Sequence, residues 1–278
     1  MFLHLPHTKK LMKFKILPIL ILLISTLHTT AQDRVFTNVY QSNVLPAGVK
    51  DLEYKLRWKT KRTTFYNALQ QRIEFELGLG KNLQTSLYLN LNNKLKLDET
   101  SGEIVKESSV GFSSELKWKL SDPVLNKIGS ALYFEIGGDG AEWEFEAKLI
   151  FDKQINKHLL AFDIVEEVEM ETEIEGNEVS YKMEYPLKLD FGYLYACGSH
   201  FGLGIEAINF NDISPDEGWE SSLLFAGPVV NFHGDGWYIN LSCLPQIRNL
   251  RMTDEYPLNM DLIGHERFET RLLLSFSL

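Results

Sequence analysis

Apolar and polar residues alternate along most of the chain beyond residue 50. From residue 73 to 77 the apolar side chains take the odd positions and the carboxylates take the even ones. The segment 143–149 has the same parity, with charged side chains at its even positions. A period of two residues predicts β-strands that have one face against apolar surroundings and the other against water.

The alternating segments are long for the strands of a soluble sheet, which usually have about five or six residues. A tilted strand that crosses a bilayer needs about 9–11 residues. Bacterial single-chain barrels have an even number of strands. The pattern therefore predicts an all-β fold, a transmembrane antiparallel up-and-down β-barrel of about 12 strands. We expect these strands near 51–60, 67–79, 83–97, 106–120, 129–137, 142–152, 158–173, 178–195, 199–210, 218–232, 236–248 and 265–278.

The connections between these strands alternate in length. Glycine-rich segments at 80–82, 198–199 and 234–236 predict tight turns, which are typical of the periplasmic end of such a barrel. The polar segments 98–105, 211–218 and 249–264 predict longer extracellular loops. The connection 121–128 falls on the periplasmic side but contains Asp122-Pro123, and we expect a helical turn there.

Both the tryptophans and the last strand favour a membrane barrel. All five tryptophans lie near a proposed strand end and share the parity of apolar neighbours, as interfacial aromatic residues do: Trp58, Trp118, Trp143, Trp219 and Trp237. From Phe268 to Leu278 the even positions are apolar, apart from Thr270, and Phe276 stands just before the end. This segment resembles the terminal strand that the barrel-insertion machinery recognises. The expected partners are therefore that machinery and outer-membrane lipid.

The N-terminus has the pattern of a cleaved signal peptide. A basic region with four lysines precedes a short apolar run, 16–27, and 29–31 resembles a signal-peptidase site. The alternative is an inner-membrane anchor helix, for which the apolar run is short. We therefore divide the chain into a signal peptide (1–31), a periplasmic N-terminal segment (32–50) that could enter the lumen as a small plug, and the barrel (51–278).

Composition narrows the class of protein further. Charged residues make up 24% of the chain, which is too polar for a helical membrane protein. The net charge of −10 argues against nucleic acid as a partner, because binding to phosphates requires a basic surface. The only two cysteines, Cys197 and Cys243, are too few for a disulfide framework and wrongly spaced for a zinc site.

The chain resembles an uncharacterised family of Gram-negative outer-membrane β-barrel proteins, known only as a domain of unknown function. The resemblance lies in the segments 34–37, 44–49, 71–76, 114–123, 146–153, 227–230 and 265–274. It implies the fold and an outer-membrane location. It brings no catalytic residue, cofactor or substrate.

The residues that could carry out catalysis or bind a metal are better explained as structural or surface residues. His158, His200 and His233 fall at proposed periplasmic turns, and no serine lies in a nucleophile-like context beside His265. The sequence has no Gly-x-Ser-x-Gly pattern. The glutamates at 167, 169, 171 and 173 could bind calcium, but they lack a calcium-loop pattern and are better explained as a lumen stripe. We therefore predict that the chain is not an enzyme and has no catalytic, cofactor or metal site.

Parity places many charges of both signs on the lumen face. If they pair across strands, they fill the interior, whereas if they segregate, they leave a watery channel. Three functions stay open: a narrow channel for small solutes or ions, a structural or surface-interaction barrel without a through-pore, and a lipid-acting barrel enzyme. The sequence names no solute. The lumen-lining candidates are Arg72, Glu74, Glu76, Glu115, Lys117, Glu144, Glu146, Lys148, Arg267, Glu269 and Arg271.

Overall fold

The computed structural model of the protein describes residues 34–175, 178–251 and 259–278. The signal peptide predicted for 1–31 lies outside the described residues. Among those described, no helix has the length and apolar character needed to cross a membrane. The strands are β1 (Lys50–Thr60), β2 (Tyr66–Gly80), β3 (Leu83–Leu97), β4 (Ile104–Ser121), β5 (Gly129–Gly138), β6 (Glu142–Ile155), β7 (His158–Glu175), β8 (Glu178–Glu184), β9 (Leu187–Ala196), β10 (Phe201–Ser214), β11 (Gly218–Gly234), β12 (Trp237–Asn249) and β13 (Phe268–Ser277).

These strands form one closed antiparallel barrel. Consecutive strands pair with each other except β8 and β9, which both pair with β7. The pairings of β1 with β13 and of β6 with β7 close the sheet. Strands β8 and β9 occupy successive parts of the same edge of β7, and the wall therefore has twelve positions. This confirms the predicted all-β barrel of about 12 strands. Closure pairs the two strand edges that an open sheet would expose.

One predicted strand, 178–195, is divided into β8 and β9. The break falls at Tyr185 and Pro186, because proline has no N–H to donate to the ladder. The N–H of Tyr185 donates instead to the carbonyl of Ile213 at 2.7 Å, and the carbonyl of Pro186 accepts from Glu167 at 3.0 Å.

The connections alternate between the two ends of the barrel, and the longest one, 250–267, lies opposite three two-residue turns. We call the end with the connections 81–82, 156–157 and 235–236 the turn end, and the opposite end the loop end. Between β2 and β3, Lys81 and Asn82 both have positive φ, which is typical of a type I′ hairpin. In the longer connection at this end, the N–H of Asn126 donates to the carbonyl of Asp122 and closes one helical turn, as expected.

The outer surface is apolar. Large side chains such as Leu87 and Phe112 point outward and are 62% and 68% exposed. All five tryptophans are also exposed and lie close to strand ends, in one band at each end of the barrel. A belt of aliphatic side chains between two aromatic bands is the surface that a bilayer-spanning barrel presents to lipid.

Candidate functional site

Residues 34–46, which we call the plug segment, lie inside the lumen. Val35, Phe36 and Val39 form a buried cluster with apolar side chains of β7, β9 and β11. A methyl group at Gly192 would come within 2.7 Å of the Phe36 ring, so the wall is shaped to receive that ring. Near the turn end, a methyl group at Gly78 would come within 2.0 Å of the carbonyl oxygen of Pro46.

Buried polar side chains of the wall accept hydrogen bonds from the plug segment. Glu206, which is fully buried, accepts from the N–H groups of Asn38 (2.8 Å) and Val39 (3.2 Å) and from the Thr37 hydroxyl (2.7 Å). The wall also supplies Asp163, which accepts from the Tyr40 N–H at 2.6 Å. An unsatisfied buried donor costs about 1–3 kcal/mol, so these acceptors stabilise the plugged arrangement.

The ring of Tyr40 lies among cations. Arg34 is 3.9 Å from the ring centroid, and the Nζ atoms of Lys148, Lys55 and Lys117 are 4.1, 5.5 and 5.7 Å away. Cations within about 6 Å of an aromatic face are attracted by its quadrupole. Tyr40 thus provides a shared contact for four buried or partly buried positive charges.

Carboxylates balance these cations. Lys55 forms a 2.6 Å salt bridge with Glu74 and a 3.9 Å one with Glu53, and Arg34 also lies 3.9 Å from Glu53. The hydroxyl of Tyr238 donates to Glu53. All these charges are buried or partly buried, which is stable only when they are paired.

The strand register orders the lumen charges into two rows. Directly opposed residues on β1 to β7 form an acidic row: Asp51, Glu76, Ser86, Glu115, Glu135, Glu146 and Glu167. One step nearer the turn end, opposed residues on β4 to β9 form a row that contains three lysines: Lys117, Tyr133, Lys148, Val165 and Lys188. The charges therefore segregate into rows, while adjacent rows pair with each other, as in the 2.8 Å contact between Lys148 and Glu146.

A cavity of about 420 Å³ lies on the loop-end side of the plug segment, and we call it the vestibule. Four plug residues line it: Arg34, Thr37, Asn38 and Tyr40. A second cavity of about 230 Å³ lies beside it and shares several lining residues, including Arg57 and Arg271. The lumen is thus neither uniformly filled nor visibly open from end to end, because a peptide segment of the chain itself occupies the turn-end part.

Ten of the predicted lumen residues fall into three groups within the barrel. Five of them line the vestibule: Arg72, Glu144, Glu146, Lys148 and Arg271. Glu269 lines the second cavity. Four more are buried on the inner face away from either cavity: Glu74, Glu76, Glu115 and Lys117.

Arg267 lines neither cavity. Its Nη1 atom lies 2.9 Å from the sulfur of Met260, and its guanidinium lies 5.8 Å from the ring centroid of Phe268. It directly precedes the last strand, which begins at Phe268. Glu266 lines the second cavity instead and forms salt bridges with Lys59 (2.9 Å) and Arg62 (3.5 Å).

The residues that hold the plug segment do not stand out in the sequence. Glu206 and Asp163 are acids whose immediate neighbours in the sequence are apolar. A single carboxylate at an inward position is a signal for a specific partner, because a buried charge must be compensated. The partner itself could not be identified from the strands, since it belongs to the N-terminal segment.

The ladder of glutamates on β7 faces the lumen. Glu167 pairs directly with Glu146 across the strands, and carboxylate oxygens of Glu144, Glu146 and Glu167 lie within 4.8 Å of one another. Lys148 and Lys188 each form a salt bridge within this group. The group is therefore partly neutralised by the wall.

His265 lies beside the second cavity. Its Nε2 atom is 3.0 Å from Oδ2 of Asp212, which also accepts a 2.6 Å hydrogen bond from the Ser221 hydroxyl. The carboxylate stands between the hydroxyl and the imidazole, so His265 is not placed to take the proton of Ser221 as a general base would. Cys197 and Cys243 are both free and exposed.

Comparison with known proteins agrees with this architecture. Residues 28–278 match a family of unknown function, DUF6662. No curated protein matches the sequence.

Among solved structures, the chain is similar to the β domain of the Bordetella autotransporter BrkA (TM-score 0.55, 8% identity, 84% of this chain and 100% of that one). It is also similar to the translocator domain of the autotransporter NalP from Neisseria meningitidis (TM-score 0.52, 9% identity, 83% and 88%). A third is the KdgM porin in complex with disordered oligogalacturonate (TM-score 0.50, 8% identity, 82% and 99%). At these identities the likeness concerns the fold, which is that of outer-membrane barrels.

Proposed function

The chain belongs to the DUF6662 family, whose function is unknown, and we propose that it is an outer-membrane barrel that passes small polar solutes when its plug segment moves. One observation carries this proposal. The charged vestibule of about 420 Å³ is closed toward the turn end by residues 34–46 and not by the wall alone. A barrier made of a separate segment can open without disrupting the barrel.

The contacts of the plug segment support such a movement. They are non-covalent contacts that include hydrogen bonds, cation–π contacts at Tyr40 and one salt bridge, and Leu45 and Pro46 lie beside Gln84 and Gly78 near the turn end. A segment outside the hydrogen-bonded ladder of the sheet can open locally at a lower free energy than the sheet itself. We infer that the turn end faces the periplasm, as is usual for short barrel connections.

A reversible tether tests this proposal. The Thr37 and Ser242 hydroxyl oxygens are 2.6 Å apart, so cysteines at these positions should form a disulfide between the plug segment and β12. Thr37→Cys/Ser242→Cys would be made in a Cys197→Ser/Cys243→Ser background. We expect the oxidised protein to lose most of its conductance in planar bilayers and to recover it on reduction. Oxidation should not change the matched Thr37→Cys single variant.

Other outcomes would contradict the proposal. Equal conductance of the oxidised and reduced tethered protein would show that solute does not pass the plug segment. The second candidate is a structural barrel without a through-pore, which is favoured by the fully buried Phe36 and its close fit to Gly192. A folded protein that conducts in neither state would establish that candidate.

A further inference from the structure

The vestibule has an acidic wall. Strands β6 and β7 oppose each other with three direct glutamate pairs: Glu142 with Glu171, Glu144 with Glu169, and Glu146 with Glu167. Like charges placed directly opposite each other across a strand pair are destabilising. A cation that binds between these carboxylates reduces the repulsion between them.

Only part of this wall is neutralised by the protein. Lys148 forms a salt bridge with Glu146 at 2.8 Å, and Lys188 forms one with Glu167. Across the residues that the structure describes, Glu144 and Glu169 make no salt bridge, although both line the vestibule. These two opposed carboxylates can therefore receive a cationic group from a ligand.

The opposite wall is basic. In the ring of twelve strand positions, β1 lies six positions from β7, and β13 lies six positions from β6. The residues of β1 and β13 that line the vestibule include four bases (Lys55, Arg57, Lys59 and Arg271) and no acid. Glu266 and Glu269, which form salt bridges with Lys59, line the second cavity.

Arg57 is the most exposed base on this wall. Its side chain is 38% exposed, and its nearest carboxylate, Glu269, is 3.9 Å away and already bound to Arg271. Arg57 lines both cavities. A guanidinium with free N–H groups is suited to bind a carboxylate through two hydrogen bonds.

We propose that the vestibule binds small dipolar solutes, with the cationic group between Glu144 and Glu169 and the anionic group at Arg57. This inference rests on the proposed function and names the solute class that the same lumen accepts. The volume of about 420 Å³ is in the range of small-molecule sites, about 300–1,000 Å³. Between the two walls, Gln70, Asn90 and Asn92 offer neutral amides to the same space.

Three forms of one dipeptide test the charge requirement. Alanyl-alanine carries both charges, N-acetyl-alanyl-alanine only the negative one, and alanyl-alanine amide only the positive one. In calorimetric titration of the full detergent-solubilised barrel, we expect the zwitterion to bind about tenfold more tightly than either singly charged form, since each charge-assisted contact contributes roughly that factor.

Two variants separate the ends of the site. Glu144→Gln/Glu169→Gln should weaken binding of the zwitterion and the amide about tenfold and leave the acetylated form unchanged. Arg57→Gln should weaken the zwitterion and the acetylated form but not the amide. Glu103→Gln and Lys106→Gln, at exposed positions near the loop end, are matched controls that should change nothing. Heat-modifiable gel mobility checks that each variant is folded.

The inference is overturned if the three forms bind equally, if none of them binds, or if either variant weakens all three alike. Its failure can be told from that of the proposed function. If conductance depends on the tether but the zwitterion is not preferred, only the proposed solute class is rejected. If the barrel binds the zwitterion but never conducts, the channel function is rejected and the binding site is retained.

Discussion

At the scale of single residues, charge and size on the inner wall decide where the plug segment lies. Glu206 accepts three hydrogen bonds from consecutive plug residues, which no apolar side chain could provide. Gly192 leaves the space that the Phe36 ring occupies. A larger residue at Gly192 would overpack this contact, which typically costs about 1–3 kcal/mol.

Asp122, in the connection between β4 and β5, allows a prediction about pH. A 2.7 Å hydrogen bond from Lys119 and those from the N–H groups of Leu125 and Val124 lower the pKa of Asp122 to about 2. In the unfolded chain the pKa is about 3.9, so the stabilisation of this turn is complete above that value and is lost as the pH falls through about 2.

Carboxyl NMR should show this directly. We expect a titration midpoint of Asp122 at about pH 2 in the folded barrel. In a Lys119→Ala variant the midpoint should move upward toward about 4, because the first of the three stabilising contacts is gone. A midpoint that is unaffected by the substitution would contradict the assigned cause.

At the scale of elements, each strand has an outward face and an inward face with opposite requirements. On β3, Leu87 faces outward and is 62% exposed, whereas Asn92 faces inward and lines the vestibule. The same strand therefore offers a matched pair of positions for a charge.

Leu87→Arg should destabilise the barrel by about 2–4 kcal/mol, because it places a charge against the hydrocarbon of the bilayer. Asn92→Arg, five residues further on the opposite face, should fold nearly as well as the original protein since it meets water and acidic side chains. Urea titrations in lipid vesicles measure the difference. Equal losses of stability in the two variants would show that the faces are wrongly assigned.

At the scale of the whole molecule, the pairings of β1 with β13 and of β6 with β7 close the sheet into a barrel. A closed barrel has no edge from which unfolding can begin. We therefore expect the unboiled protein to migrate differently from the boiled protein on a cold detergent gel. Identical migration of the two samples, for protein purified from membranes in mild detergent, would argue against a closed barrel.

The alternation of apolar and polar residues was sufficient to predict where most strands lie, because side chains alternate between the two faces of any extended backbone. The predicted segments 83–97 and 129–137 agree closely with β3 and β5. Parity also assigned eleven residues to the lumen, of which six line the vestibule or the second cavity and four are buried in the wall. Arg267 precedes the last strand, so alternation within that strand does not decide its direction.

The tertiary structure alone decided what occupies the lumen. Thr37 meets Glu206 across 169 residues of sequence and Ser242 across 205, and no local periodicity encodes such contacts. The opposition of the acidic β6–β7 wall to the basic β1–β13 wall likewise depends on closure after half a turn of the barrel. Alternation shows which way a side chain points, but what it faces is set by the number of strands and their register, which are properties of the whole sheet.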